Sequence, residues 1–101
     1  MIQHKFYDTS SLLLCDKTLF QEEGVVISNV SLRELEDIKT SARKTEEQRA
    51  CGRRLTRLLD EHIGEYQVVN YVLGMDDIID HWGLPPSNDA KILACYWLWS
   101  K

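Results

Sequence analysis

Cysteine is scarce in this sequence and cannot pair off: Cys15, Cys51 and Cys95 stand far apart in a chain of 101 residues. An odd number at such spacing excludes a disulfide framework and a zinc knuckle, and it fits a reducing, cytoplasmic compartment. Basic charge is not in excess either. Lys and Arg total 12 against 16 Asp and Glu, a net charge of −4, which excludes coating nucleic acid by charge alone but leaves room for a local basic stripe. Long apolar runs are missing. The longest, Ile92 to Trp99, is far short of the roughly 20 residues of a membrane span, so no membrane partner is expected. Leu12 to Leu14 is too short for a signal-peptide core and lies between Asp8 and Asp16. His4, His62 and His81 have no metal-ligand spacing with one another or with a cysteine, and no Ser-His-Asp or Cys-His pairing can be built from the chain. Glycine-rich G-x-G-x-x-G and Walker sequences are absent, which removes those routes to nucleotide binding. No repeat, low-complexity tract or linker divides the chain, so residues 1–101 read as one small domain.

What remains is the composition of a soluble globular protein, 44% hydrophobic and 28% charged. Lys5 to Asp8 is a first strand candidate, followed by a helix from about Ser10 to Phe20 capped by Thr9 or Ser10. Gly24 breaks the chain. The β-branched run Val25 to Val30 is a second strand, apolar enough to be covered on both faces as in a parallel sheet. Ser31 opens a helix to about Thr40, with Ser31 and Glu34 fitting a capping box. A longer helix spans about Lys44 to Ile63. Its apolar stripe is Cys51, Leu55, Leu58, Leu59 and His62, and Gly64 stops it. Gln67 to Tyr71 reads as a third strand, Met75 to Trp82 as a short helix ended by Gly83, and Ser87 onward as a last helix. Strands alternating with helices predict a three-layer α/β/α domain with a short parallel sheet. The last helix is apolar all round and expects cover, from a second copy in a homo-oligomer or from further chain.

Three acids lie at helix starts: Asp8 and Glu34, each following a strand, and Asp89, which joins them if the last helix begins at the same sheet edge. In an open parallel sheet the working crevice lies beyond the carboxyl ends of the strands. Two unit charges about 4 Å apart repel by roughly 4 kcal/mol at an effective dielectric of 20, a cost that a bound cation relieves. Oxygen ligands without His or Cys select Mg²⁺ or Mn²⁺. Such an ion binds a phosphate oxygen and activates water, which implies phosphodiester hydrolysis. Each acid also has a plainer explanation: Asp8 starting a turn, Glu34 completing the capping box of Ser31, Asp89 favouring a positive helix end.

The sequences around these acids resemble the PIN-domain family of metal-dependent nucleases. Phe6-Tyr7-Asp8-Thr9-Ser10-Ser11-Leu12-Leu13 is similar to its opening block. The segment Val25 to Lys39, with Glu34 before Leu35, resembles its second, and Ser87-Asn88-Asp89-Ala90-Lys91-Ile92-Leu93-Ala94-Cys95 its third. The resemblance covers essentially the whole chain and is closest to the branch at the N-terminus of PhoH-type proteins, where a long basic helix also follows the second block. It implies an endoribonuclease using Mg²⁺ or Mn²⁺, with Asp8, Glu34 and Asp89 as catalytic metal ligands. Thr9 or Ser10 would support the first acid or the metal's waters. The family usually adds a fourth acid on a following strand. This sequence stops before one, so the domain is expected to be incomplete at its C-terminus, without the last strands.

Outside the acids, Arg49, Arg53 and Arg57 recur at i, i+4 and i+8 away from the apolar stripe. They read either as a phosphate-tracking stripe for RNA or as a solvated face paired with Glu46, Glu47, Asp60 and Glu61. Asp76, Asp77 and Asp80 form a rival acidic group or a helix start. Two non-enzymatic alternatives stand beside the nuclease: an inactive interaction module assembling through the apolar last helix, and a nucleic-acid binder without catalysis.

Overall fold

Gly24 fixes the entry to the central strand in the computed structural model, which describes residues 3–21 and 23–101 and, at Leu73, the backbone alone. Its φ is +78°, and a Cβ there would fall 2.5 Å from the Gln3 carbonyl oxygen, so only glycine fits without displacing the chain. The Gly24 carbonyl accepts from the Lys5 N–H at 2.9 Å. From that bond β1 (Lys5–Tyr7) and β2 (Val25–Ser28) run side by side in parallel, and β3 (Tyr66–Val69) pairs with the far side of β2. All four residues of β2 are buried, as its β-branched composition demands of a strand covered on both faces.

The pleat sorts the core. On one face Val25 and Ile27 pack with Leu12, Leu19, Leu35, Leu55 and Leu59, flanked by Tyr7 and Tyr66. These leucines come from α1 (Thr9–Cys15), the 3-10 turn Asp16–Gln21, α2 (Asn29–Thr40) and α3 (Glu46–Glu61). On the other face Phe6 and Val69 meet Met75, Ile79, Ala90, Ala94 and Cys95, supplied by the 3-10 turn Leu73–Met75, α4 (Asp76–His81) and α5 (Asn88–Trp99). The result is the expected three-layer arrangement, a short parallel sheet in the order β1-β2-β3 with helices on both sides. Among the described residues no helix is long and apolar enough to cross a membrane.

Several boundaries differ from those read in the sequence. Helix α1 stops at Cys15 rather than Phe20 because Asp16 takes a φ of +46°, a region that side chains other than glycine enter at a cost. The forked pairing of Arg54 with Asp16, at 3.2 and 2.7 Å, holds that corner. Strand β2 ends at Ser28 rather than Val30, and the Ser28 hydroxyl caps α2 by accepting from the Ser31 N–H at 3.2 Å. The capping box expected of Ser31 and Glu34 is therefore not formed. A capping box does open α3, between Thr45 and Gln48. Thr-x-x-Gln satisfies the same rule, and the sequence reading passed over it. Within α3 the stripe holds: Leu55 and Leu59 are buried, with Cys51, Leu58 and His62 half-buried. Gly52 lies on the side of α3 that faces α2, a Cβ there meeting Ile38 Cγ2 and the Lys39 nitrogen at 3.2 Å.

Helix α5 is apolar all round but only half covered. Ala90, Ile92, Ala94 and Cys95 are buried, whereas Leu93, Tyr96, Trp97 and Leu98 remain between 37% and 47% exposed.

Candidate active site

Tyr7 pairs with Ile27 in the sheet, so the residues that follow, Asp8 and Ser28, stand level at its carboxyl edge. Each is a helix N-cap with no loop between strand and helix. Asp8, rather than Thr9 or Ser10, caps α1, its Oδ1 accepting from the Ser11 N–H at 2.7 Å. Because α1 and α2 leave neighbouring strand ends, their first turns meet. Thr9 Oγ1 lies 2.6 Å from Glu34 Oε1 and 3.1 Å from Ser31 Oγ. An ionised carboxylate can only accept, so Thr9 donates to Glu34 and the Ser31 hydroxyl donates to Thr9. With α2 starting at Asn29, Glu34 lies in its second turn rather than its first, clear of any capping duty. Asp89 lies in the first turn of α5, which Ser87 caps by accepting from the Ala90 N–H at 3.2 Å.

These elements enclose an open cleft of about 690 Å³. Asp8, Glu34 and Asp89 all line it, with Thr9, Ser10, Ser11 and Lys44, and its apolar wall includes Phe6, Ile38, Leu93 and Tyr96. Folding thus brings three acids from distant parts of the chain to one cavity. Three carboxylates against one ammonium leave it with an excess of negative charge. Among the described residues, Asp8 Oδ2 and Glu34 Oε2 have no hydrogen-bond partner, and neither does the Asp89 side chain.

The donor set suits a hard divalent cation: oxygen only, anionic, with no thiol or imidazole on the cleft. The spacing is wider than a closed cage. Among the described residues no three His, Cys, Asp or Glu side chains stand close enough to hold an ion between them. Mg²⁺ commonly keeps several waters and is bound through only one or two carboxylates. The cap on Asp8 and the first-turn position of Asp89, the plainer explanations for these acids, are both realised. They coexist with cleft exposure, because a carboxylate has two oxygens and a capping bond uses one.

Two of the three arginines have acidic partners on their own helix. Arg49 and Arg53 both bind Glu46, at 3.1 and 2.6 Å, and the Arg53 and Arg49 guanidiniums hold its carboxyl below the ordinary range. Arg53 and Arg57 line a separate shallow depression with Arg54, and none of the stripe borders the acidic cleft. Arg49 has an indirect link to it, donating to the carbonyls of Ser41 and Lys44 and so fixing the turn that carries Lys44. Asp76 is taken by the Tyr71 hydroxyl; burial and that bond push the phenol up to about 12. Asp76 and Asp77 lie in the first turn of α4, and among the described residues the group they form with Asp80 gathers no cation site.

The Arg54 fork sets a pH dependence outside the cleft. Its hydrogen bonds lower the Asp16 pKa. Stability gained from a depressed carboxylate is present above the ordinary value and lost as pH falls through the lowered one. Arg54→Leu should therefore lower the urea midpoint at neutral pH by a small margin, the pair being partly exposed. The difference from wild type should vanish in acid well below the ordinary carboxylate range. A gap that persisted in acid would assign the loss to packing of the arginine stem.

Sequence reasoning missed Lys44 and Tyr96 as cleft residues, and Ser31 as a partner of Thr9. Lys44 was legible only as one cation near the basic helix, and Tyr96 as a ring that could stack a base but that its apolar helix was expected to bury. A family model described as the PIN domain matches residues 6–101. No curated protein and no solved structure matches the chain.

Proposed function

The chain belongs to the PIN-domain family, whose members are generally nucleases, and from that premise we propose that it hydrolyses internal RNA phosphodiester bonds at the cleft of Asp8, Glu34 and Asp89 with the help of Mg²⁺ or Mn²⁺. The observation carrying this is the single cavity shared by three acids remote in sequence. Asp8 and Glu34 would hold the ion through the oxygens their local bonds leave open, with Asp89 across the cleft. When bound, the ion supplies charge neutralisation at the phosphate and activation of the attacking water. The chain does the rest. The cap of α1 fixes the Asp8 carboxylate, and Thr9 fixes Glu34. Lys44 offers a counter-charge to a phosphate entering the cleft, and the exposed Tyr96 ring offers a face for a base. Within the family we place the chain nearest the branch at the N-terminus of PhoH-type proteins, on the order of the three blocks and the long helix α3 after the second.

The test is cleavage of a labelled single-stranded RNA by the purified chain. Mn²⁺ should give internal cuts and a chelator should abolish them. Equal cutting with and without the chelator, or none in either case, overturns the proposal.

The outer face of α5 favours a second reading, an interaction module that assembles through Trp97 and Leu98 and cuts nothing. Light scattering decides it: association that Trp97→Lys abolishes supports this reading, and a wild-type monomer at high micromolar concentration sinks it.

A further inference from the structure

We propose that Ser31 is a positioning residue for the cleft, acting through Thr9 on Glu34. Ser31 is fully buried and shielded from solvent, an unusual place for a hydroxyl that caps nothing. The cap of α2 is Ser28, so Ser31 has no helix-terminal duty to explain it. Its hydroxyl instead meets Thr9 Oγ1 at 3.1 Å, and Thr9 reaches Glu34 Oε1 at 2.6 Å. Thr9 has one hydroxyl hydrogen. Bound to the carboxylate, that hydrogen leaves Thr9 able only to accept, and Ser31 is the group that donates to it.

The chain of donors runs from a buried side chain on α2, across to α1, and back to α2 one turn beyond Ser31. The arrangement orients the Thr9 hydroxyl, which by itself rotates about its Cβ–Oγ bond, and aims its hydrogen at Glu34 Oε1. One carboxylate oxygen is thereby held while Oε2 is left for the cleft. Alternating donors of this kind polarise one another, so the Thr9–Glu34 bond is stronger with Ser31 behind it. Partners that orient a metal ligand typically govern affinity 10–100-fold when removed.

The role of Ser31 in ion binding rests on Glu34 being a ligand, and the experiment separates the two. Mn²⁺ affinity is measured by calorimetry on the full chain as wild type, Ser31→Ala, Thr9→Val and the double variant. Ser31→Ala should weaken binding about 3- to 10-fold and Thr9→Val at least as much. The double variant should be no worse than Thr9→Val, because Ser31 has nothing to act on once the Thr9 hydroxyl is gone. Thr9→Ser, which keeps the hydroxyl, should restore the sensitivity to Ser31→Ala. Losses that simply add would make Ser31 a packing residue and overturn the proposal. Were the wild type to bind no Mn²⁺, the reading of Glu34 as a ligand would fall, and the relay is then read in the metal-free chain. Side-chain coupling constants of Glu34 should report one rotamer in wild type and averaging in Ser31→Ala. Identical couplings in the two overturn the relay itself.

Discussion

Asp8→Asn should reduce Mn²⁺-dependent RNA cleavage by about 100-fold or more while leaving the thermal midpoint within a degree or two of wild type. The two halves of that expectation have separate origins. Asp8 both caps α1 and lines the acidic cleft. Asparagine keeps the acceptor oxygen that caps the helix, and Asn and Asp are about equally good at the position. What it loses is the negative charge. Supporting partners of a bound ion already cost 10–100-fold when removed, and a direct ligand should cost at least the upper end of that range. The measurement is the single-turnover rate on a short RNA beside a melting curve of the same preparation. A rate within threefold of wild type would remove Asp8 from the reaction. Asp8→Ala is the informative contrast: it should lose the same activity and in addition about 1 kcal/mol of stability through the missing cap.

Leu12→Ala should lower stability by about 3 kcal/mol, within the 2–5 kcal/mol typical of a fully buried leucine cut back to alanine. Leu12 is wholly inaccessible and packs among Leu19, Val25, Ile27, Leu35, Leu55 and Leu59. It is also the one buried residue of α1, a helix of only 7 residues. Helices this short have little stability of their own and depend on packing. The loss should therefore fall on the element that carries Thr9, and Mn²⁺ affinity should drop along with the melting temperature. For a domain of this size the shift in melting temperature is on the order of 15 °C. Leu12→Met, which keeps the volume, should cost less than about 1.5 kcal/mol. A Leu12→Ala midpoint equal to wild type would place this side chain outside the core.

How much of this was legible in the sequence depends on whether one segment settles the matter. The run Val25 to Ser28 declares a buried parallel strand by composition, and the stripe of α3 declares its inner face by spacing. The register of the second helix could not be read so directly. Ser28 and Ser31 are both good caps, three residues apart. The choice between them is made by where β2 stops pairing with β1 and β3. The end of α1 was illegible for a different reason: it falls where Asp16 takes a positive φ, a conformation that no residue type at that position announces.

The same distinction runs through the site. Asp8, Glu34 and Asp89 stand out in the sequence because each lies within a recognisable block, and the geometry adds their common cavity. The spacing of the arginines fits both a phosphate-tracking stripe and a paired face, and the geometry adds the pairing of Glu46 with Arg49 and Arg53. The contact between Thr9 and Ser31 joins positions 22 apart. It exists only because two adjacent strands turn directly into helices, and no periodicity in the chain encodes that.

The aromatic wall of the cleft has an optical consequence. Tyr96 borders the cavity, and its ring centroid lies 6.1 Å from that of Trp99 and 5.5 Å from that of Phe6. A molecule that displaces or stacks on Tyr96 alters the surroundings of a neighbouring indole. Emission from Trp99 should therefore change when the cleft is occupied, a shift that Trp99→Phe should abolish while Trp82 and Trp97 remain.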